Sequence, residues 1–282
     1  MIGVAAELES AVARLASSGV EAARFDAEVL LADVLGVDRA RLFVDRERAL
    51  ARTERARFED LVARRGRREP LQQLRGRQEF FSRNFFVDRH VLVPRPETET
   101  LVETAIAAAL AMPRRGLRIL DIGTGCGAIA VTLALELAEA LVFAGDVSAE
   151  ALRVARRNAS THGGRVEFRE GDLCAPFASE RFDLVVANPP YVPSGAIAAL
   201  APEVRDHEPR IALDGGEDGL EFYRRLAHDA SSLLDDDGEI LVEVGHGQSA
   251  AVLDIFASWG LRPVDVHRDL AGIERVVRVR RG

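Results

Sequence analysis

A chain of 282 residues allows one large or two modest domains, and at 48% hydrophobic and 29% charged it reads as an ordinary globular protein. A net charge of −8 argues against a broad grip on nucleic acid, the apolar runs are too short for a membrane span, and two cysteines are too few for a disulfide framework. The first residues lack a basic stretch followed by an apolar core, so no signal peptide is expected, and the two cysteines suit a reducing cytoplasm. All 37 basic residues are arginine, which a G+C-rich coding sequence accounts for.

Residues 1–76 carry helical periodicity and no strand signal. Leu8, Val12 and Leu15 share one apolar face, Phe25, Val29, Leu30 and Val34 another, and Phe58, Leu61 and Val62 a third, with Gly19 and Gly36 as punctuation. The pattern predicts a small helical bundle that carries no residues of catalytic type. Arg64, Arg65, Arg67, Arg68, Arg75 and Arg77 form a basic run, read first as a solvated helix end and second as a docking patch for an acidic partner. The aromatic stretch 79–87, broken by Ser82-Arg83-Asn84, predicts a hairpin, and residues 77–97 read as a linker to a second domain over 98–282. Pro94-Arg95-Pro96 imposes an extended path and pins one arginine ahead of a helix starting near Thr98, with Glu97 and Glu99 in its first turn.

From about residue 118 strands and helices alternate. Strands are expected at 118–122, 141–144 (ending at Asp146), 165–168, 182–187, 239–244, 262–266 and 274–279. Helices are expected at 128–137, 149–160, from about 219, and at 249–259. Such alternation implies an α/β fold with a mainly parallel, doubly wound sheet. A loop containing Asp206, His207, Glu208, Pro209 and Gly215-Gly216 precedes the helix near 219, and His207 is read as a loop histidine without a role. The six histidines show no ligand spacing, so no metal site is expected. Cys126 and Cys174 read as small core residues rather than nucleophiles.

Two places on this scaffold carry chemistry. Gly123-Thr124-Gly125-Cys126-Gly127 follows the first strand, where glycines leave room for a ligand and let backbone N–H groups point at it. Asp146 ends the second strand, where an acid can accept both ribose hydroxyls, and Asp172 follows the third, placed to meet an adenine edge. These features fit an adenosine site, and both a dinucleotide and a methyl donor have one. The second place is Asn188-Pro189-Pro190-Tyr191, at the end of the buried-type strand 182–187. Two prolines make a stiff lip there, where open α/β sheets bind ligands. The Asn188 side-chain oxygen and the Pro189 carbonyl can accept both hydrogens of a planar NH2 group, with the Tyr191 ring over its face. That arrangement has no use in hydride transfer. It has one in methyl transfer, where an amino nitrogen must sit in line with the sulfonium methyl of S-adenosylmethionine.

At this point the residues resemble a known family. Residues 121–130, Asp-Ile-Gly-Thr-Gly-Cys-Gly-Ala-Ile-Ala, resemble the glycine motif of class I methyltransferases, and Asn188-Pro189-Pro190-Tyr191 the motif of those that methylate planar amino groups. Val93-Pro94-Arg95-Pro96-Glu97-Thr98-Glu99, Glu243-Val244-Gly245-His246-Gly247-Gln248 and residues 269–277 narrow the resemblance to the HemK/PrmC family, over nearly the whole chain. The resemblance implies a Rossmann-like, seven-stranded class I fold behind a helical N-terminal substrate-recognition domain (1–76). It implies an activity too: N5-methylation of the glutamine in the Gly-Gly-Gln motif of peptide chain release factors. Carried over, Gly123, Thr124, Gly125, Cys126 and Gly127 would line the methionine and ribose part of the cofactor. Asp146 would hold the ribose, and Asp172 with Leu173 would flank the adenine. Asn188 would touch cofactor and substrate, and Pro189, Pro190 and Tyr191 would hold the glutamine amide. Cys126 stands where the family often has Ser or Thr, and Leu173 where some members have an aromatic residue. A glutamine of a ribosomal protein is the nearest alternative acceptor, and adenine in nucleic acid a more distant one. A cytoplasmic monomer that binds neither membrane nor nucleic acid directly is expected.

Overall fold

A computed structural model describes residues 3–281. The chain forms two compact units. One takes the chain up to Arg77 together with Ala201–His207, and the other takes Gln78–Leu200 and the described residues from Glu208 onward.

The first unit opens with five helices: α1 (Val4–Ser17), α2 (Ala23–Leu35), α3 (Arg39–Val44), α4 (Arg52–Gly66) and α5 (Leu71–Arg75). Leu8 and Leu15 from α1, Leu30 and Leu31 from α2, and Phe58 and Val62 from α4 meet in one apolar cluster. Asp38 caps α3 by accepting the Arg41 N–H, and the Glu54 carboxylate reaches back to accept the Ala51 N–H at the start of α4. Phe25 departs from its expected face. It is 47% exposed and lies under the Arg39 guanidinium, 4.6 Å from the ring centre, so a cation–π contact takes the place of burial. The basic run is largely neutralised. Arg64 pairs with Glu69, Arg65 with Asp26 and Glu203, Arg68 with Glu203, and Arg75 and Arg77 with Asp33. An acidic partner would have to displace those carboxylates, which disfavours the docking-patch reading. Burial works against ionisation of Glu203, yet Arg68 and Arg65 hold its pKa down to about 2.

The second unit begins with the expected hairpin, β1 (Gln78–Phe80) and β2 (Arg83–Phe85). Its turn is Phe81-Ser82, both at positive φ, so the polar residues Arg83 and Asn84 fall in the second strand rather than in the break. There follow α6 (Glu99–Ala111), β3 (Arg118–Ile122), α7 (Ala128–Glu136), β4 (Leu141–Asp146), α8 (Ala149–His162), β5 (Val166–Glu170) and β6 (Phe182–Ala187). Next comes α9 (Pro202–His207), which belongs to the first unit; a loop is expected there, and Asp206 and His207 instead end a helix. The chain closes with α10 (Glu221–Leu233), β7 (Leu234–Glu243), α11 (Ser249–Ser258), β8 (Leu261–Arg268) and β9 (Glu274–Arg281).

The sheet order is β5-β4-β3-β6-β7-β9-β8, with the first five strands parallel and β9 antiparallel to both its neighbours. Helices cover both faces, so the central strands read as unbroken apolar runs, and all six residues of β6 are buried. Alternate residues still divide between the faces. Ile119, Leu184 and Val186 pack with α6, α7 and α8, whereas Leu120, Ile122, Val185 and Ala187 pack with α10 and α11. The chain steps outward from β3 through β4 to β5, then returns to the other side of β3 as β6. That reversal opens a crevice at the carboxyl ends of β3 and β6.

Candidate active site

A cleft of about 730 Å³ occupies that crevice. Its floor and walls include Gly123, Gly125, Asp146, Asp172, Leu173, Asn188 and Pro190, together with parts of the 209–216 loop and the start of α10.

The glycine loop leans on the end of β4. Gly123 and Thr124 N–H donate to the Gly145 carbonyl at 2.9 and 3.0 Å, Gly125 N–H donates to Asp146 Oδ2 at 2.8 Å, and Gly127 N–H donates to the Thr124 carbonyl at 2.8 Å. These N–H groups are spent inside the protein instead of pointing at a ligand. What the glycines contribute is shape. Gly123 and Gly125 hold positive φ, and a Cβ built on either meets nothing within 4 Å, whereas one on Gly127 would approach Ala155 to 3.1 Å. Behind the loop, fully buried Asp121 accepts from the Thr124 hydroxyl at 2.6 Å and the Ala130 N–H at 3.2 Å. Burial pushes its carboxyl up to about 7. Thr124, Cys126 and Gly127 back the cleft without bordering it. Burial pushes the Cys126 thiol up to about 12 and that of Cys174 higher, so neither is a thiolate nucleophile.

Asp146 is fixed twice, by Gly125 N–H on Oδ2 and by Ser148 N–H on Oδ1 at 2.9 Å. Burial raises its pKa while these backbone donors pull it down. Asp172 stands exposed at the rim and pairs with Arg225 of α10 at 2.5 Å. Leu173 is buried at a φ of 49°, a left-handed conformation that costs a residue with a Cβ about 1–3 kcal/mol and that brings it to the cleft wall.

At the opposite wall, Asn188 Nδ2 donates to Thr98 Oγ1 at 3.0 Å. Pro190 borders the cleft, but Pro189 and Tyr191 do not. The Tyr191 hydroxyl points at Glu243 Oε1 across 3.4 Å, and its ring lies so close to Gly245 that a Cβ there would come within 3.1 Å. Burial pushes the Tyr191 phenol up to about 12. Two glycine positions explain why the lip is stiff. A Cβ at Gly215 would fall 2.7 Å from the Pro190 carbonyl oxygen, and one at Gly219 only 2.4 Å from that of Tyr191. The Gln248 amide also donates to the Tyr191 carbonyl at 3.0 Å. The 215–219 turn therefore packs its bare backbone against the lip. Sequence reasoning noted Gly215-Gly216 only as a loop and took Gly219 as the approximate start of a helix, which begins instead at Glu221. The signal was there in three glycines within five residues beside an otherwise helical pattern.

Arg95, held between its prolines, pairs with buried Glu208 at 2.5 Å, and Glu208 also accepts the Val93 N–H. His207 ends α9, where its ring meets the Arg67 carbonyl at 3.0 Å in the first unit. Among the described residues no group of His, Cys, Asp and Glu is arranged to hold a metal ion, and no helix is long and apolar enough to cross a membrane.

Comparison with known proteins places these features. Residues 7–76 match the family described as the PrmC N-terminal domain, and residues 98–204 that described as the methyltransferase small domain. The chain is 46% identical over 268 residues to the release factor glutamine methyltransferase of Geobacter sulfurreducens, covering 95% of this chain and 93% of that protein. It is 40% identical over 282 residues to the enzyme of the same name from Agrobacterium fabrum, covering 99% and 97%. A methyltransferase structure from Pyrococcus furiosus superposes with a TM-score of 0.53 at 18% identity, over 72% of this chain and 91% of that one, a likeness of fold alone.

Proposed function

The chain belongs to the release factor glutamine methyltransferase family, and from that premise we propose that it transfers a methyl group from S-adenosylmethionine to the side-chain amide nitrogen of the glutamine in the Gly-Gly-Gln motif of peptide chain release factors. The second unit has the class I methyltransferase fold. One observation carries the reading: Asn188 and Pro190 border the same cleft as Gly123, Gly125 and Asp146, so the donor and acceptor halves of the reaction share one space.

The residues present suit the cofactor. The open space over Gly123 and Gly125 accommodates a methionine chain, and the Asp146 carboxylate keeps lone pairs for ribose hydroxyls after accepting its two backbone N–H groups. Asp172 and Leu173 border the cleft where an adenine edge and face would lie. When bound, S-adenosylmethionine supplies an electrophilic methyl on a positively charged sulfur. The protein's part is positioning. Asn188 Oδ1 accepts a hydrogen of the glutamine amide at the cleft wall, which aims the weak lone pair and strengthens that hydrogen bond as positive charge develops on nitrogen, whereas Pro189, expected to accept the second hydrogen, does not border the cleft. Tyr191 serves this by bracing the lip through Glu243 and Gly245. With its phenol at about 12 it is no base near neutral pH, and the proton leaves after attack, to water. We assign recognition of the rest of the release factor to the first unit, because a three-residue loop alone buries too little area for specificity.

Intact-mass measurement of a release factor incubated with this protein and S-adenosylmethionine tests the reading. One added methyl on the Gly-Gly-Gln glutamine is expected. Asn188→Ala should lower turnover by about 10²-fold or more while leaving cofactor affinity nearly unchanged. A methyl found only on a ribosomal protein would move the acceptor, and undiminished turnover in Asn188→Ala would remove the role given to Asn188.

A further inference from the structure

Asparagine is an unfavourable residue inside a helix, because its short amide competes with the backbone for hydrogen bonds. Asn158 nevertheless sits within α8 and is 1% exposed. A buried amide needs partners, and this one has three. Its Oδ1 accepts the Phe86 N–H at 2.7 Å, and its Nδ2 donates to the Phe86 carbonyl at 2.9 Å and to the Cys126 carbonyl at 2.8 Å. A backbone N–H can only donate and a backbone carbonyl can only accept, so turning the amide over would break all three bonds, and its orientation is fixed.

The two bonds to Phe86 fasten α8 to the chain just beyond β2, and a packing role would end there. Phe86 is already held to that helix by its ring, whose centre lies 3.5 Å from the Arg157 guanidinium. The third bond goes elsewhere, to the glycine loop. It holds the carbonyl of the Cys126–Gly127 peptide, and the N–H of that same peptide donates to the Thr124 carbonyl at 2.8 Å. Both edges of the peptide plane are therefore fixed, with Gly127 at a φ of 82°. About one turn earlier on the same helix face, Ala155 stands so close that a Cβ on Gly127 would come to 3.1 Å. Helix α8 thus sets the loop at two adjacent points. Within the loop, Gly125 N–H reaches Asp146, and the chain running on from Phe86 reaches the cleft at His90, Val91 and Leu92. One buried amide ties together two walls of the cleft without bordering it.

We propose that Asn158 is a positioning residue for the cofactor, holding the Cys126–Gly127 peptide so that the loop keeps its open space over Gly123 and Gly125 and its contact with Asp146. The role rests on the placing of S-adenosylmethionine over those glycines given above.

The test compares the full chain with Asn158→Leu, which fills the site without hydrogen bonds, and with Asn158→Asp, which keeps the shape but cannot donate to both carbonyls. Both variants should bind S-adenosylhomocysteine about 10- to 100-fold more weakly by calorimetry, while kcat with release factor at saturating S-adenosylmethionine moves about threefold or less. A packing role predicts lower stability with an unchanged dissociation constant. A second measurement uses the wild type alone. The Phe86 N–H lies beyond the end of β2 and donates to Asn158, so its exchange with solvent reports on the clamp. Saturating S-adenosylhomocysteine should slow that exchange about fivefold or more, and leave the Gly272 N–H, which donates to the Asp269 carbonyl in a turn of the same unit, within about twofold. An unchanged dissociation constant in the variants, or Phe86 exchange that ignores the ligand, would overturn the proposal. A wild type that binds no S-adenosylhomocysteine would instead remove the cofactor placement on which it stands.

Discussion

Replacing Glu243 by glutamine should make the stability of the second unit less dependent on pH, by an amount that can be worked from the site. Burial raises the Glu243 carboxyl from 4.5 to about 7, and Glu97 adds to the rise, while Thr98, Arg275 and Tyr191 oppose it. The folded state thus keeps a proton that the unfolded chain has already released between pH about 4.5 and about 7. With more protons bound in the folded state across that window, stability is fully present below about 4.5 and falls as pH rises through about 7. The loss is on the order of 3 kcal/mol. Asp121, raised from 3.8 to about 7, adds a loss of the same sign over nearly the same window. Glu243→Gln removes the first contribution and leaves the second. Urea unfolding followed through the fluorescence of Trp259, the single tryptophan and a residue of the second unit, reports on the right transition. Between pH about 5 and about 8 the stability of the variant relative to wild type should grow by roughly 2–3 kcal/mol, whatever its starting value. Parallel curves would mean that Glu243 is ionised throughout in the folded protein, and the burial argument would fail.

Gly219→Ala should damage a lip it does not belong to. The residue has a φ of 78°, and its new Cβ would sit 2.4 Å from the Tyr191 carbonyl oxygen and 2.8 Å from the Gln248 amide. The left-handed backbone alone costs about 1–2 kcal/mol, and relieving the clash moves the lip, so thermal melting should fall and kcat should fall more than KM rises. Asp146→Asn should act on the cofactor instead. An amide in that place turns one NH2 toward the donor of Gly125 or Ser148, and a buried mismatch of about 1–3 kcal/mol predicts roughly 5- to 150-fold weaker S-adenosylmethionine binding by calorimetry, with kcat at saturation little changed.

Much of the fold was legible because the sheet is covered on both faces. A strand such as β6, with six buried residues in a row, leaves a continuous apolar run bounded by a polar residue, and no tertiary information is needed to find it. The same holds for Asp146 and the glycine loop, whose positions follow from where strands end. Strand order was less accessible. That β9 inserts between β7 and β8 depends on a hairpin folding back across the edge, and its apolar alternation would suit either neighbour. Helix α9 was missed because six residues, Pro-Glu-Val-Arg-Asp-His, hold only one apolar side chain. Its tie to the first unit is the Glu203 carboxylate shared by Arg65 and Arg68, an ion pair that sequence periodicity cannot encode. Phe25 was misplaced for the converse reason: helical spacing puts it on the apolar face, but the arginine that opens the next helix offers it a partner at the surface.

The residues whose roles escaped sequence reasoning share a property that bears on how such a site works. Asn188-Pro189-Pro190-Tyr191 could be read as an acceptor for a planar amino group from its own four residues. The parts played by Gly215, Gly219 and Gln248 could not be so read, because each acts on the lip across the fold, Gln248 having stood only as one letter of a longer motif. Yet a reaction on an amide, a poor nucleophile, leaves the protein little to contribute except placement. A bare backbone at Gly219 then matters as much as the group proposed to touch the substrate, since a lip displaced by an ångström would lose the same transition-state contacts as deleting Asn188. The identity of a glycine beside this lip is therefore as much a statement about placement as the identity of the asparagine.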